Sequence, residues 1–531
     1  MPAPPTDDEL RQRIADTWAV DLRGLPIRCE LATTDAARLA LAERVALAIE
    51  TAGGMVQAPP RAVPHPPLPL SERPRPDPAE VVARLRAWAE DQGIDARAID
   101  IHVDADGHRS VAARAPVALG QDLITVPRAA LITDLDIADA PLGVALARAA
   151  PPLDSLHTPI ALWLAAERRA PSSRWQPYLD ALPPTVALPW FWPDDDLREL
   201  RGTHAYLVND ALRGGVLDDH AAIVGRMPAL ADLSLADLAW GRAIASSRLF
   251  KITVDGLDRT ALAPVADLFD HGPADATWRY DDARGVFAVV ARRALAAGEP
   301  IHLSYGKKGL ARFVTGYGFA PAEAIAAVRD AGAGGGELEP DDPRLEDVAA
   351  LTFAGLRDDP RAALAVHLLW RHDLDRPLTM TAPAQFEDRA RRVLSVARLL
   401  VADGRELGQA ADRGRFVRGE LAWLGPRNER AALERIEQAA LAARTHMAAT
   451  ADADRALLAD AEVTGWPRTA AALRTAERAV LDRWAELLAV AGPLLAERSP
   501  WTWRKAATER ETTGRRHPLA CGYLRAVADE L

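Results

Sequence analysis

Cysteine is nearly absent from this 531-residue chain: Cys29 and Cys521 stand alone and far apart. Two such residues form neither a CxxC metal cluster nor a disulfide framework, and they fit a reducing compartment. No uninterrupted apolar run reaches the roughly 18 residues that a membrane-spanning helix needs. The opening MPAPPTDDEL lacks a basic stretch followed by an apolar one, so no secretory signal and a cytoplasmic location are expected. Positive charge is in deficit, with a formal net charge of −11. Binding to nucleic acid calls for a basic footprint that displaces counterions from phosphates, so no nucleic-acid partner is expected. Common catalytic templates are also missing. No GxGxxG opens a helix after a strand, and there is no Walker loop, HExxH or GxSxG elbow. The twelve histidines are scattered without i, i+4 pairs, so no metal site is expected.

What is present is ordinary for a soluble globular protein of two to four domains, with 49% hydrophobic and 26% charged residues. Lysine is scarce beside arginine and alanine, which reads as coding bias. Residues 1–55 show helical spacing through Leu39, Leu41, Val45, Leu47 and Ile49. Residues 56–79 are rich in proline, whose fixed φ and missing donor predict an extended linker. Short strands are predicted from about 100 to 133, where Ile101-His102-Val103 alternates and Asp106-Gly107 signals a turn. Helices return from about 140 to 245. There, Ser234-Leu235-Ala236-Asp237 reads as a capping box. Strands follow at Val286–Val290 and Ile301–Tyr305, and after Gly332–Gly336 everything reads as helix. No fixed-period repeat suggests a solenoid.

One cluster between 246 and 319 carries chemistry. It comprises Ser247-Arg248-Leu249-Phe250, Asp267-Leu268-Phe269-Asp270-His271, Gly298-Glu299, Ser304-Tyr305-Gly306 and Tyr317-Gly318-Phe319. Here the chain resembles the SET methyltransferases of the Rubisco large-subunit and actin-histidine class. In that family an arginine near the end of a helical insert, a DxxNH segment, a GEE…YG strand and a closing YGF surround S-adenosylmethionine. Further matches are Val126–Thr133, Trp175–Pro183 ("W.PYL..LP"), Glu199–Thr203 ("eL.gT"), Asp452–Leu458 ("eeDe.LL") and Arg474–Leu481 ("R..Ek.iL"). Their order and spacing over residues 80–490 make the match specific, while the first 75 residues have no counterpart.

The resemblance implies an α+β fold: a SET β-fold of small, pseudoknotted sheets with a helical insert, then an all-α substrate-binding domain. The corresponding boundaries are 80–325 for the SET domain, with its insert at about 140–245, and 326–531 for the helical domain. The implied activity is S-adenosylmethionine-dependent N-methylation of a protein substrate by a monomer, away from membranes. Tyr305 matches the catalytic tyrosine and also lies against the cofactor. Asp106, Gly107 and His108 occupy the early cofactor loop, Arg248 meets the cofactor's carboxylate end, and Asp270 and His271 hold the Asn-His position. Phe250, Asp267 and Tyr317 would face the substrate. Phe250 stands where lysine-modifying relatives tend to be aromatic, which favours lysine over histidine as the acceptor.

Elementary chemistry agrees with this reading. Methyl transfer from a sulfonium needs an unprotonated nitrogen aligned in a dry pocket. A free lysine near pKa 10.4 costs roughly 4 kcal/mol to deprotonate at pH 7. Desolvation by aromatic walls and a nearby positive charge lower that cost. Three departures stand out, one of them Ser110 where the family has an apolar residue. Asp270 replaces the family's asparagine, and Arg109 replaces a glycine, so a left-handed backbone at 109 would force the loop to rearrange. Taken alone, Tyr305 and Tyr317 read as ordinary core aromatics, Arg248 as a helix C-terminal cation, and Lys307-Lys308 as a solvated turn. Trp175 and Tyr178 read as structural. Histidine methylation and a non-catalytic, SET-like protein-binding module are the alternatives.

Overall fold

A computed structural model describes residues 64–70, 77–104, 108–151, 153–170, 172–331, 342–353, 379–411, 416–417, 420–512 and 518–531. The predicted helix before residue 55, the Asp106-Gly107 turn and the Gly332–Gly336 break lie outside the described residues. The proline-rich segment is extended at 64–70, but it is docked there rather than free. Its anchor is the fully buried Arg213, whose guanidinium donates to the carbonyls of His65 (3.1 Å), Pro189 (3.1 Å) and Trp190 (2.9 Å). Gly214 makes room for this: a Cβ there would lie 2.6 Å from the His65 ring.

Helix α1 (Pro78–Asp91) starts where the Asp77 carboxylate accepts from the Ala79 and Glu80 amides and proline supplies the first turn. It buries Val81, Leu85, Trp88 and Ala89. Strands β1 (Ile99–Val103) and β2 (Arg109–Ala113) pair antiparallel. Strands β3 (Asp122–Pro127) and β4 (Ile132–Thr133) follow. The chain then runs through helices that include α2 (Thr158–Arg169), α3 (Gln176–Ala181), α4 (His204–Arg226) and α5 (Leu235–Arg248). Ser234 caps α5 as predicted: its hydroxyl accepts from the Asp237 amide and donates to the Asp237 carboxylate.

Strands β5 (Phe250–Val254) and β6 (Leu257–Leu262) join β4 in a three-stranded sheet. Strands β7 (Asp270–Asp281), β8 (Val286–Ala291) and β9 (His302–Leu303) join β3 in a four-stranded sheet ordered β3-β8-β7-β9. The β7–β9 pair is parallel, with Asp270 opposite His302 and His271 opposite Leu303. This crossover carries the segment after β9 back to the residues just before β7. Helix α6 (Leu310–Tyr317) then closes over it, ending at Gly318 in the left-handed region (φ +83°).

The C-terminal part is mostly helical, with α7 (Pro426–Thr445), α8 (Ala451–Ala459), α9 (Gly465–Ala485) and α10 (Pro518–Glu530). It also holds small antiparallel pairs, β10 (Val348–Thr352) with β11 (Thr379–Pro383) and Phe416–Val417 with Glu420–Leu421, which the helical reading did not anticipate. Val348 to Leu351 are all buried, and a continuous buried run carries no period that separates strand from helix.

Three of the motifs that matched outside the site, Glu199–Thr203, Asp452–Leu458 and Arg474–Leu481, meet at the junction of the insert and this helical part. Arg474 on α9 donates to Asp454 on α8 and to the Glu199 carboxylate, and Arg478 also pairs with Asp454. One turn away, Glu477 accepts from the His204 amide (2.6 Å) and the Ala205 amide (3.2 Å), so it caps α4 from another part of the chain. Gly202 (φ +80°) is required there, since a Cβ would lie 2.5 Å from the His446 carbonyl oxygen.

Candidate active site

Tyr305 directly follows the short strand β9 by one serine. Its amide donates to Nδ1 of His271 (3.1 Å), and its hydroxyl donates to the Phe269 carbonyl (2.7 Å). Both partners flank the start of β7, so the parallel β7–β9 pairing is what brings them together. Burial pushes the Tyr305 phenol up to about 12, so at neutral pH it is a protonated donor rather than a phenolate. The accepting Nδ1 of His271 fits a neutral imidazole. Burial also lowers the His271 value, with the Glu323 carboxylate opposing it.

Aromatic rings wall this tyrosine. The Tyr317 ring centre is 5.1 Å from that of Tyr305, and Phe319 lies 6.3 Å away. Phe313 packs on His271 at 4.7 Å and on Tyr317 at 5.9 Å. The spacing Phe313…Tyr317 puts both rings on one face of α6.

Behind the tyrosine lies a buried polar group. Arg248 ends α5 and donates from Nη1 to the Asp267 carbonyl. Asp267, only 6% exposed, accepts a 2.6 Å hydrogen bond from the Tyr178 hydroxyl. Burial raises the Asp267 carboxyl, and the Arg248 charge and the Tyr178 hydrogen bond pull it back. Two residues before it, Val265 adopts φ +69°, a conformation that costs a β-branched residue of order 1–3 kcal/mol. Its side chain is 1% exposed, so packing holds the strained turn that aims Asp267 and Phe269.

The early loop arrives from the other side. His108 Nε2 lies 3.2 Å from the Asp270 carboxylate. Burial raises the Asp270 carboxyl, and His108 is the largest influence against it. Asp106 and Gly107, assigned to the same loop, lie outside the described residues. Arg109 opens β2 in ordinary strand conformation and donates to the Leu182 carbonyl, so no left-handed residue is needed at 109.

Tyr305, Arg248, Asp267, Asp270, His271, His108 and Tyr317 are thus connected through hydrogen bonds, ring contacts and neighbouring backbone. Phe250 is not part of that group: its ring packs on Trp278 (5.4 Å) and Phe287 (5.0 Å). As the first residue of β5 it faces the sheet core, so it carries no weight in choosing the acceptor. Two residues prove closer to the site than the sequence suggested. Tyr178, read as structural, also holds Asp267. Lys308, read as solvated, is half-buried: its ammonium donates to the Tyr305 carbonyl and lies 5.7 Å from the Tyr317 ring centre. For Tyr178 the signal was its place in the W.PYL motif; for Lys308, its spacing of three from Tyr305.

The residues fit the amino-acid end of S-adenosylmethionine. Nε of Arg248 and Oδ1 of Asp267 are both buried without a hydrogen-bond partner in the protein. Buried polar atoms are rarely left in that state unless a ligand or water completes them. A cation and an anion so placed suit a zwitterion.

In fold, the chain matches a SET domain followed by a mostly helical region. The crystal structure of the SET domain of LSMT bound to lysine and AdoHcy superposes with a TM-score of 0.61 at 17% identity, covering 80% of this chain and 94% of that one. Rubisco LSMT bound to AdoMet gives 0.60, also at 17% identity, over 78% and 93%. Residues 357–481 match the family model described as Rubisco LSMT substrate-binding. Among curated proteins, the chain is 24% identical over 260 residues to the chloroplastic [fructose-bisphosphate aldolase]-lysine N-methyltransferase of Arabidopsis thaliana, covering 45% of this chain and 52% of that one. It is 25% identical over 247 residues to the actin-histidine N-methyltransferase of Canis lupus familiaris, and 24% to that of Homo sapiens. These matches cover 44% of this chain in both cases, and 42% and 41% of the relatives. The chain therefore spans about half the length of the curated relatives it matches, or less. Among the described residues, no helix is long and apolar enough to cross a membrane.

Proposed function

We propose that this chain is an S-adenosylmethionine-dependent protein N-methyltransferase that modifies a lysine side chain of another protein. The observation that carries this is the Tyr305 hydroxyl, set in an aromatic wall beside the half-buried Arg248 and the buried Asp267, whose Nε and Oδ1 atoms lack hydrogen-bond partners. When bound, S-adenosylmethionine supplies a methyl group activated by its sulfonium. In this reading Arg248 holds the cofactor's carboxylate, and Asp270 and His271 line the remainder of the cradle with His108, Asp106 and Gly107. Tyr305 orients the acceptor nitrogen, while Tyr317 and Phe319 exclude water and so favour the unprotonated amine. Asp267 stabilises the positive charge near the reacting centre. Residues 80–325 form the catalytic part, with its insert at about 140–245, and 326–531 form the part that holds the protein substrate.

Lysine is favoured because the Tyr317 ring already faces an aliphatic amine, that of Lys308. Histidine is the second reading, supported by the similarity to actin-histidine enzymes. The test is methyl transfer from labelled cofactor to a protein extract, followed by mass spectrometry of the modified side chain. Transfer to lysine that falls about 100-fold or more in Tyr305→Phe, with cofactor-product binding retained, is expected. Calorimetry showing no binding of S-adenosylmethionine or its product would overturn the enzyme reading in favour of a non-catalytic binding module.

A further inference from the structure

The chain has four lysines: Lys251, Lys307, Lys308 and Lys505. One of them lies beside the candidate site, its ammonium on the Tyr305 main-chain carbonyl and 5.7 Å from the Tyr317 ring centre. Gly306, at φ +92°, turns the chain after Tyr305 and folds Lys308 back over it. The Lys308 ammonium donates to the Tyr305 carbonyl and faces the Tyr317 ring, and that ring packs on Tyr305 at 5.1 Å. Lys251 and Lys307 are exposed, and Lys505 lies on the helix Pro500–Thr512, beside Trp501 and Glu509.

We propose that Lys308 is a methylation site of the protein itself, modified in cis at its own Tyr305 centre. This rests on the methyltransferase reading above. Three features support it. First, the amine is already at the aromatic wall, so little translational freedom remains to be lost before reaction. The Tyr317 ring that it faces packs on the Tyr305 ring, with ring centres 5.1 Å apart. Second, the amine is easier to deprotonate than a free lysine: burial and the nearby Arg312 charge lower its value, with the Glu346 carboxylate opposing and Lys251 adding to the lowering. Third, the ring face that now receives an ammonium also receives a methylammonium, so the product keeps its seat.

The step balances simply. The Lys308 ammonium first gives a proton to water. Its nitrogen lone pair then forms the bond to the methyl carbon as the carbon–sulfur bond breaks, and that electron pair stays on sulfur. The products are methylated Lys308 and S-adenosylhomocysteine.

The experiment is to incubate the full-length protein with methyl-labelled S-adenosylmethionine and no other substrate, then map the label by mass spectrometry. The expected result is label on Lys308 and not on Lys251, Lys307 or Lys505. Its rate should be independent of protein concentration, and label should be lost in Lys308→Arg and in Tyr305→Phe. Label on an added protein extract with Lys308 unmodified would overturn the proposal while leaving the enzyme reading intact. Label spread over all four lysines and unchanged in Tyr305→Phe overturns it as uncatalysed chemistry. A labelling rate that rises with protein concentration overturns the cis geometry. Failure to bind the cofactor removes both readings together.

Discussion

Replacing Tyr178 by phenylalanine isolates one hydrogen bond at the back of the site. The Tyr178 side chain is fully buried and Asp267 is 6% exposed, so water cannot replace the lost hydroxyl. Phenylalanine keeps the ring that lies nearly parallel to Trp88 at 6.2 Å, so no cavity contributes. What is lost is a 2.6 Å donor to a buried carboxylate whose other oxygen already lacks a partner. Hydrogen bonds to charged groups contribute about 1.5–3 kcal/mol, and full burial places Tyr178→Phe near the upper end. The effect depends on pH in a definite direction. Burial holds the Asp267 carboxyl above its ordinary value, so its ionised form opposes folding as pH rises past the unfolded value. The Tyr178 hydroxyl relieves that penalty only while Asp267 is ionised. The loss in Tyr178→Phe should therefore be largest at about pH 8 and shrink as the pH falls through the raised Asp267 value. Urea unfolding at several pH values measures this, and calorimetry with S-adenosylhomocysteine shows whether Arg248 and Asp267 remain placed. A loss below about 0.5 kcal/mol at all pH values, with unchanged affinity, would refute the role given to Tyr178.

Three further outcomes are expected at the junction with the helical part. Asp454→Ala leaves the buried guanidiniums of Arg474 and Arg478 without their shared carboxylate, a loss of roughly 3–5 kcal/mol readable by thermal unfolding. Gly202→Ala combines a left-handed backbone with a 2.5 Å approach to the His446 carbonyl, and should cost more than about 1 kcal/mol by the same measurement. Glu477 is held up at about 8 by burial, above an ordinary value of 4.5. The folded state therefore keeps its proton where the unfolded chain releases it, so this contribution to stability declines as pH rises from about 4.5 to 8. Glu477→Gln should flatten that decline in a pH series of denaturant midpoints, and an unchanged slope would rule it out.

Much of the site was legible because its chemistry travels in short, ordered motifs. Arg248, Asp267, Asp270, His271, Tyr305 and Tyr317 were placed at a common centre by the resemblance to the SET methyltransferases. The helix cap at Ser234 was readable for the same reason, since it depends on residues three apart. What the residues could not say alone was how distant segments meet. The parallel β7–β9 pairing sets Tyr305 on His271 and Phe269, and the insert swings Tyr178 onto Asp267 across 89 positions. No local period encodes either contact. The same limit explains Phe250: the first residue of a strand can face either side, and only the packing of Trp278 and Phe287 decided that it faces the core.

By itself, then, the sequence determined the alternation of strands and helices up to the C-terminal part and the cap at Ser234, because these are set by residue type and short spacing. The tertiary structure alone decided which polar atoms are buried without partners, which lysine faces Tyr317, and how Glu477 and Arg474 tie the helical part to the insert. Burial and contact over hundreds of residues depend on chain crossings that no short window contains.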